Sequence, residues 1–310
     1  MKIFHHNDAD GYMSANIIYN SFDYETKKSI TKDDFICMDY TKPFDMSIIK
    51  LGEPVYIVDY SIPPEKMKTL LFAYTKDVTW IDHHISAIDS YKAYPELLNS
   101  IKGVRFDGIS ASALCYLYVN DKIVNTGDHT KDYYQMMKNL EVAPLGISYI
   151  NDWDVWNHFL NGSDKFMVAL QAKLLKHSPM DSEWTDLGNR NEACTDLIKS
   201  GVIMDDFKLS WAETFRNRYG FCIKLDGHSV FCLNLGNANS TYFGDLINKY
   251  DAVMTFCYNG KLFNCSIYSN KIDVSLIAKK YGGGGHKGAS GFTFKDFSFI
   301  TDKICGGKDE

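Results

Sequence analysis

Lys2-Ile3-Phe4-His5-His6-Asn7-Asp8-Ala9-Asp10-Gly11 is the stretch that decides the fold class. A short apolar run ends in histidine. Two aspartates then alternate with small residues, and Ser14–Asn20 reads as a helix opening behind Asp10-Gly11. A β-like run feeding directly into a helix is the first half of a βαβ unit. The pattern continues downstream. Pro54–Val58 reads as a strand ending at Asp59, and Pro63-Pro64-Glu65 opens a helix through about Ala73. Asp77–Ile81 reads as a strand ending at Asp82, and Ser110–Val119 as a buried helix. This alternation predicts an α/β protein with a doubly wound, mostly parallel sheet. Such sheets take their ligands beyond the carboxyl ends of the strands, where the acids and histidines of this chain gather.

From about Asp186 to Asn217 the chain is polar and helical, and beyond it the texture changes. Phe221–Leu225 and Ser229–Leu233 flank Asp226-Gly227, and Ala252–Tyr258 and Leu262–Tyr268 flank Asn259-Gly260. Both are hairpin signals. Helices are expected around Phe243–Lys249 and Val274–Lys280, the latter running into Gly282-Gly283-Gly284-Gly285-His286. The expected organisation is an α/β domain over 1–185, a helical connector over 186–217 and a smaller α+β domain over 218–310, with the functional site in the cleft between the two domains.

The chain has 310 residues, is 45% hydrophobic and 23% charged, and carries a net charge of −6. This composition is globular, not disordered. No apolar run approaches the ~20 residues of a bilayer span, so no membrane partner is expected. Met1-Lys2-Ile3-Phe4 meets His5 and His6 without the apolar stretch of a secretory leader, so a cytoplasmic location is expected. The acidic balance argues against coating long duplex nucleic acid. Eight cysteines include no C-x-x-C pair, which predicts reduced thiols without a structural zinc site. A homodimer is compatible with the sequence, but no feature calls for one.

Four constellations carry chemistry. His6-Asn7-Asp8-Ala9-Asp10-Gly11 puts an imidazole and two carboxylates in one short loop, a donor set suited to Mn²⁺ or Mg²⁺. Read blandly, it is a polar turn with a helix cap. Asp59 ends an apolar strand and is by itself an ordinary turn residue. In Asp82-His83-His84, the aspartate can orient an imidazole while one histidine ligates and the other meets an anion. Asn151-Asp152-Trp153-Asp154 follows Gly146–Ile150 and offers either acid to a metal. His6, Asp8, Asp10, Asp59, His83 and Asp152 thus count six donors from four strand ends, as many as a two-metal centre needs. Four glycines before His286 and Lys287 let backbone N–H groups approach an anion, against the alternative of a flexible linker. Arg105, near Asp107-Gly108, is a candidate phosphate clamp or simply a solvated arginine.

These motifs resemble, in order, those of the DHH phosphoesterases, and Gly283-Gly284-Gly285-His286 with Ala289-Ser290-Gly291 resembles the signature of the C-terminal domain associated with them. The likeness spans nearly the whole chain. It implies two Mn²⁺, with Mg²⁺ as the substitute. It places His6, Asp8 and Asp59 on one ion, and Asp10, His83, Asp152 and again Asp59 on the other. His84 would contact the scissile phosphate, and Gly283, Gly284, Gly285 and His286 would hold the nucleotide. His6 is preferred to His5 for its two-residue spacing from Asp8, and Asp152 is preferred to Asp154. Asp82 and His84 form the expected catalytic pair. The implied activity is hydrolysis of short single-stranded RNA or linear dinucleotides to mononucleotides. The alternatives are action on a signalling nucleotide (3′-phosphoadenosine 5′-phosphate or a cyclic dinucleotide) and an inactive nucleotide-binding regulator.

Overall fold

A computed structural model describes residues 1–39 and 43–305. The chain divides into two units, Met1–Met204 and Asp205–Glu310, and the division falls inside one continuous helix, Asn191–Tyr219.

In the first unit, strands β1 (Lys2–His6), β2 (Phe35–Met38), β3 (Val55–Val58) and β4 (Val78–Ile81) form a sheet in the order β2-β1-β3-β4. Every pairing in it is parallel. Side-chain alternation gives the sheet two buried faces. Ile3, Val58 and Ile81 face one core, shared with residues of helices Ala9–Ser21 and Ala111–Val119. Phe4, Val55, Ile57, Val78 and Trp80 face another, shared with Met67 and Leu70 of helix Pro64–Ala73. Burying each such side chain contributes about 1.5–3 kcal/mol. Because the strands are short and covered on both faces, the acids and histidines that follow them gather at the strand ends. The sheet therefore has the expected doubly wound α/β form.

One expectation needs correction. Gly146–Ile150 is not followed by a turn at a strand end. It lies inside helix Leu145–Asp154, so the fourth motif reaches the site from a helix. β2, Phe35-Ile36-Cys37-Met38, is short and flanked by charged residues, so its sequence carries little strand signal.

The second unit has a six-stranded mixed sheet, ordered β5-β6-β7-β8-β10-β9. Its strands are β5 (Phe221–Leu225), β6 (His228–Asn234), β7 (Ala252–Tyr258), β8 (Phe263–Tyr268), β9 (Gly284–His286) and β10 (Ala289–Phe294). The β5–β6 turn is Asp226-Gly227, both left-handed (φ 51° and 88°), as a tight hairpin of this kind requires. The helix expected over Phe243–Lys249 is instead a 3₁₀ turn, Ser240–Phe243, and a short helix, Leu246–Lys249, separated at Gly244. The glycine-rich stretch is also not a loop throughout. Gly284, Gly285 and His286 pair with Gly291, Ser290 and Ala289 as an edge strand.

Candidate metal centre

Strand alternation separates the two adjacent histidines at the end of β1. His5 turns inward, 1% exposed, with Nδ1 2.9 Å from the His6 carbonyl and its ring edge-on to Tyr12. Burial pushes its pKa down to about 4, so it is neutral at pH 7. His6 faces the other way, with Nδ1 2.6 Å from Asp8 Oδ2. The other oxygen of Asp8 caps the following helix by accepting from the Gly11 N–H at 3.0 Å. Gly11 is required here, because a Cβ would stand 2.3 Å from the His6 carbonyl oxygen.

Asp10, in the first turn, is held from the opposite side. Its carboxylate accepts from the Ala111 and Ser112 N–H groups (2.7 and 2.9 Å), the free donors at the start of helix Ala111–Val119. Ser110, which precedes that helix, donates its own N–H to Asn151 Oδ1 at 2.8 Å.

Asp59 follows β3 in left-handed backbone (φ 53°) and is 1% exposed. Asp82 follows β4 and is fully buried. Its Oδ1 accepts from the His83 and His84 N–H groups and lies 2.7 Å from His84 Nδ1, so this carboxylate sets the angle of the imidazole. His83 Nε2 lies 3.3 Å from Asp59 Oδ1, 3.3 Å from Asp154 Oδ2 and 3.9 Å from Asp10 Oδ2. His6 Nδ1 lies 3.8 Å from Asp59 Oδ2.

Three donor groups emerge, each with its ligand atoms within 4.8 Å of one another: His6, Asp8 and Asp59; Asp10, His83 and Asp154; and Asp59, His83 and His84. Asp59 and His83 each belong to two of them.

The electrostatics are those of too many acids in one dry place. Burial raises the pKa of Asp59 well above the usual carboxylate value, and the charges of Asp8, Asp10, Asp154 and Asp82 push the same way. Asp154 is raised by burial and by Asp10 and Asp8. Burial lowers His83. For His84, burial works downward but the Asp82 hydrogen bond and charge outweigh it, and its pKa is raised. Asp8 goes the opposite way from Asp59: burial raises it, yet the bond to His6 prevails and brings it to about 2. Asp59 Oδ2 and Asp154 Oδ2 are buried with no hydrogen-bond partner among the described residues. Orphaned buried carboxylate oxygens are costly unless a cation meets them. Carboxylates and imidazoles on one ion at 2.0–2.2 Å stand about 3 Å apart. The donor set, its spacing and its unpartnered oxygens therefore fit divalent cations.

The structure brings His6, Asp8, Asp10, Asp59, His83 and His84 together as expected, with Asp82 behind His84. It brings Asp154, not Asp152, into the cluster. Asp152 points at the loop beyond its helix, where its carboxylate accepts from the Phe159 and Leu160 N–H groups. Two positions apart on a helix, these acids project to nearly opposite sides, and sequence spacing does not say which side faces the cluster. Asn151, which anchors Ser110, carries no sequence signal at all. Arg105 faces main-chain carbonyls of Lys102, Trp80, Ile101 and Leu98 at 3.1–3.5 Å and lies over the Trp80 ring at 5.6 Å, so its described partners belong to its own unit. Gly283, Gly284, Gly285 and His286 lie in the second unit.

No family model matches the chain, and no curated protein does. Solved structures do. The DHH domain of a protein described as a member of a family of ribosomal proteins matches with a TM-score of 0.59 at 13% identity, over 97% of this chain and 83% of that one. A pGpG-specific phosphodiesterase, PggH from Vibrio cholerae, matches with a TM-score of 0.49 at 12% identity, over 97% and 94%. The exonuclease RecJ bound to manganese matches with a TM-score of 0.48 at 10% identity, over 97% and 87%. The chain thus has the fold of the DHH-domain proteins. In the first unit of this chain, seven His and Asp side chains form the cluster described above. No helix among the described residues is long and apolar enough to cross a membrane.

Proposed function

We propose that the chain is a two-metal phosphoesterase that hydrolyses short oligoribonucleotides or linear dinucleotides to mononucleotides. The observation that carries this reading is the convergence of seven His and Asp side chains from four segments, with buried carboxylate oxygens left for a cation. His6, Asp8 and Asp59 would hold one ion, and Asp10, His83, Asp154 and Asp59 the other, as Mn²⁺ or Mg²⁺. When bound, such ions supply Lewis acidity, which neutralises phosphoryl charge and acidifies water at neutral pH.

The chain's own residues orient the reaction. Asp82 takes the hydrogen bond from His84 Nδ1, which leaves Nε2 to meet a phosphoryl oxygen as charge builds there. The main chain of Gly283, Gly284 and Gly285, with His286, binds the nucleotide. In support, a Cβ at Gly284 would meet nothing within 4 Å, so that backbone is open to a ligand. The acidic balance of the chain favours a short substrate over a polymer lying across its surface.

The test is a panel with Mn²⁺: a pApA-type dinucleotide, 3′-phosphoadenosine 5′-phosphate and a cyclic dinucleotide, with products followed over time. The dinucleotide is expected to yield mononucleotides fastest. In Asp8→Ala, kcat should fall at least a hundredfold with the circular dichroism spectrum unchanged. Full Mn²⁺-dependent activity in that variant would remove the metal assignment.

A further inference from the structure

The loop that leaves Asp154 holds an indole ring half out of the protein. Helix Leu145–Asp154 ends, Val155 follows, and Trp156 and His158 then both take left-handed backbone, with φ of 59° and 52°. Bulky residues rarely adopt this conformation, and it persists only where surrounding bonds enforce it. Here the enforcing residue is Asp152. Its carbonyl accepts from the Asn157 and His158 N–H groups at 2.9 and 3.3 Å, and its carboxylate from Phe159 and Leu160 at 2.8 and 3.1 Å.

His158 is fixed in turn. Its Nδ1 lies 2.9 Å from Asp164, and its ring stands edge-on to Trp153 and Trp156, with centroids 5.0 and 4.4 Å away. Trp156 meets Trp153 edge-on as well, at 5.3 Å. No ring stacks parallel on Trp156 among the described residues, and the residue is 53% exposed. Only Val155 separates it from Asp154, so the two Cα atoms are within about 7 Å.

An ordered, unstacked aromatic face this near a phosphate-hydrolysing centre has a natural occupant. We infer that Trp156 is the stacking platform for a nucleobase next to the scissile phosphate, with Asp152 as the positioning residue that holds its loop. The inference rests on the phosphoesterase reading above and names the part of the substrate that reading leaves open. Because the ring is held before the substrate arrives, little freedom is lost on binding. Stacking of one base on an aromatic ring is worth about tenfold to a hundredfold in affinity.

The experiment compares kcat/KM for a linear dinucleotide with that for the same backbone lacking one base. In Trp156→Ala this preference should drop tenfold to a hundredfold, chiefly through KM, and Trp156→Phe should restore most of it. A second arm needs no turnover. AMP titrated into the wild-type chain should quench indole fluorescence, and the quench should vanish in Trp156→Phe, which keeps the other four tryptophans. An unchanged preference in Trp156→Ala, or a quench that survives in Trp156→Phe, overturns the platform. A wild-type chain that cleaves no phosphoester but shows the Trp156-dependent quench overturns the phosphoesterase reading and leaves the platform standing.

Discussion

The two units solve opposite electrostatic problems. Residues 1–204 carry 28 Asp and Glu against 20 Lys and Arg, whereas residues 205–310 carry 11 against 13. The first unit also buries its acids: Asp10, Asp59, Asp82, Asp132 and Asp152 are all under 9% exposed. In the second, Asp205 is the one buried acid among the described residues, and it sits 2.7 Å from Lys208. Its buried polar residues are otherwise uncharged, such as Thr255 and Ser290, around an apolar cluster of Ile223, Val230, Met254, Phe256 and Ile267. The first unit therefore holds like charges that its own fold does not neutralise, a state that favours cations. The second has no such cluster of charge among the described residues, and its glycine stretch leaves open space at Gly284. The net charge of −6 is a sum over these two characters and describes neither.

The most forceful way to break this contrast is Asp59→Asn. The left-handed backbone tolerates asparagine, so the change removes only the shared charge. Phosphoester hydrolysis should fall at least a hundredfold. In metal-free protein the melting temperature should rise, because a carboxylate held up against four others is gone. A fall in that melting temperature would mean that Asp59 serves the fold, and the contrast would fail.

Metal loading gives the next largest effect. Mn²⁺ at a hundred times its Kd should raise the melting temperature of the wild-type chain by about 5–10 °C, as expected for roughly 2.7 kcal/mol of linkage. Asp154→Asn should abolish most of this shift. Asp152→Asn should keep it while lowering metal-free stability by about 1–3 kcal/mol, since one loop N–H loses its acceptor. The reverse pattern would return Asp152 to the ligand set.

Smaller effects sharpen the other side of the comparison. A Cβ at Gly283 would stand 2.0 Å from the Gly291 carbonyl oxygen, so Gly283→Ala should cost about 1–3 kcal/mol in chemical denaturation. Gly284→Ala meets open space and should change stability by less than about 0.5 kcal/mol. If the glycine stretch holds the nucleotide, Gly284→Ala should still raise KM severalfold. An unchanged KM there would leave close packing against β10 as the whole reason for the glycines.

Much of this was legible in the chain because it is local. Strand and helix alternation follows from side-chain periodicity, and β1, β3, β4 and both hairpins of the second unit lie within a residue or two of their expected bounds. His6-x-Asp8-x-Asp10 and Asp82-His83-His84 converge because each is a short loop at a strand end, where few conformations are open to it. Less was legible where a residue's role depends on a distant partner. Gly244 interrupted a helix that looked continuous, and the glycine run became an edge strand because β10 was there to pair with it.

Sequence by itself determined the class of sheet, the donors at three strand ends and their suitability for hard divalent cations, since each follows from residue type and short spacing. Only the tertiary structure shows that His6 and not His5, and Asp154 and not Asp152, stand in the donor cluster, and that Arg105 faces main-chain carbonyls. Those choices turn on which way a side chain faces, and that is settled by packing: Tyr12 beside His5, the 157–160 loop on Asp152, and four carbonyls around the guanidinium.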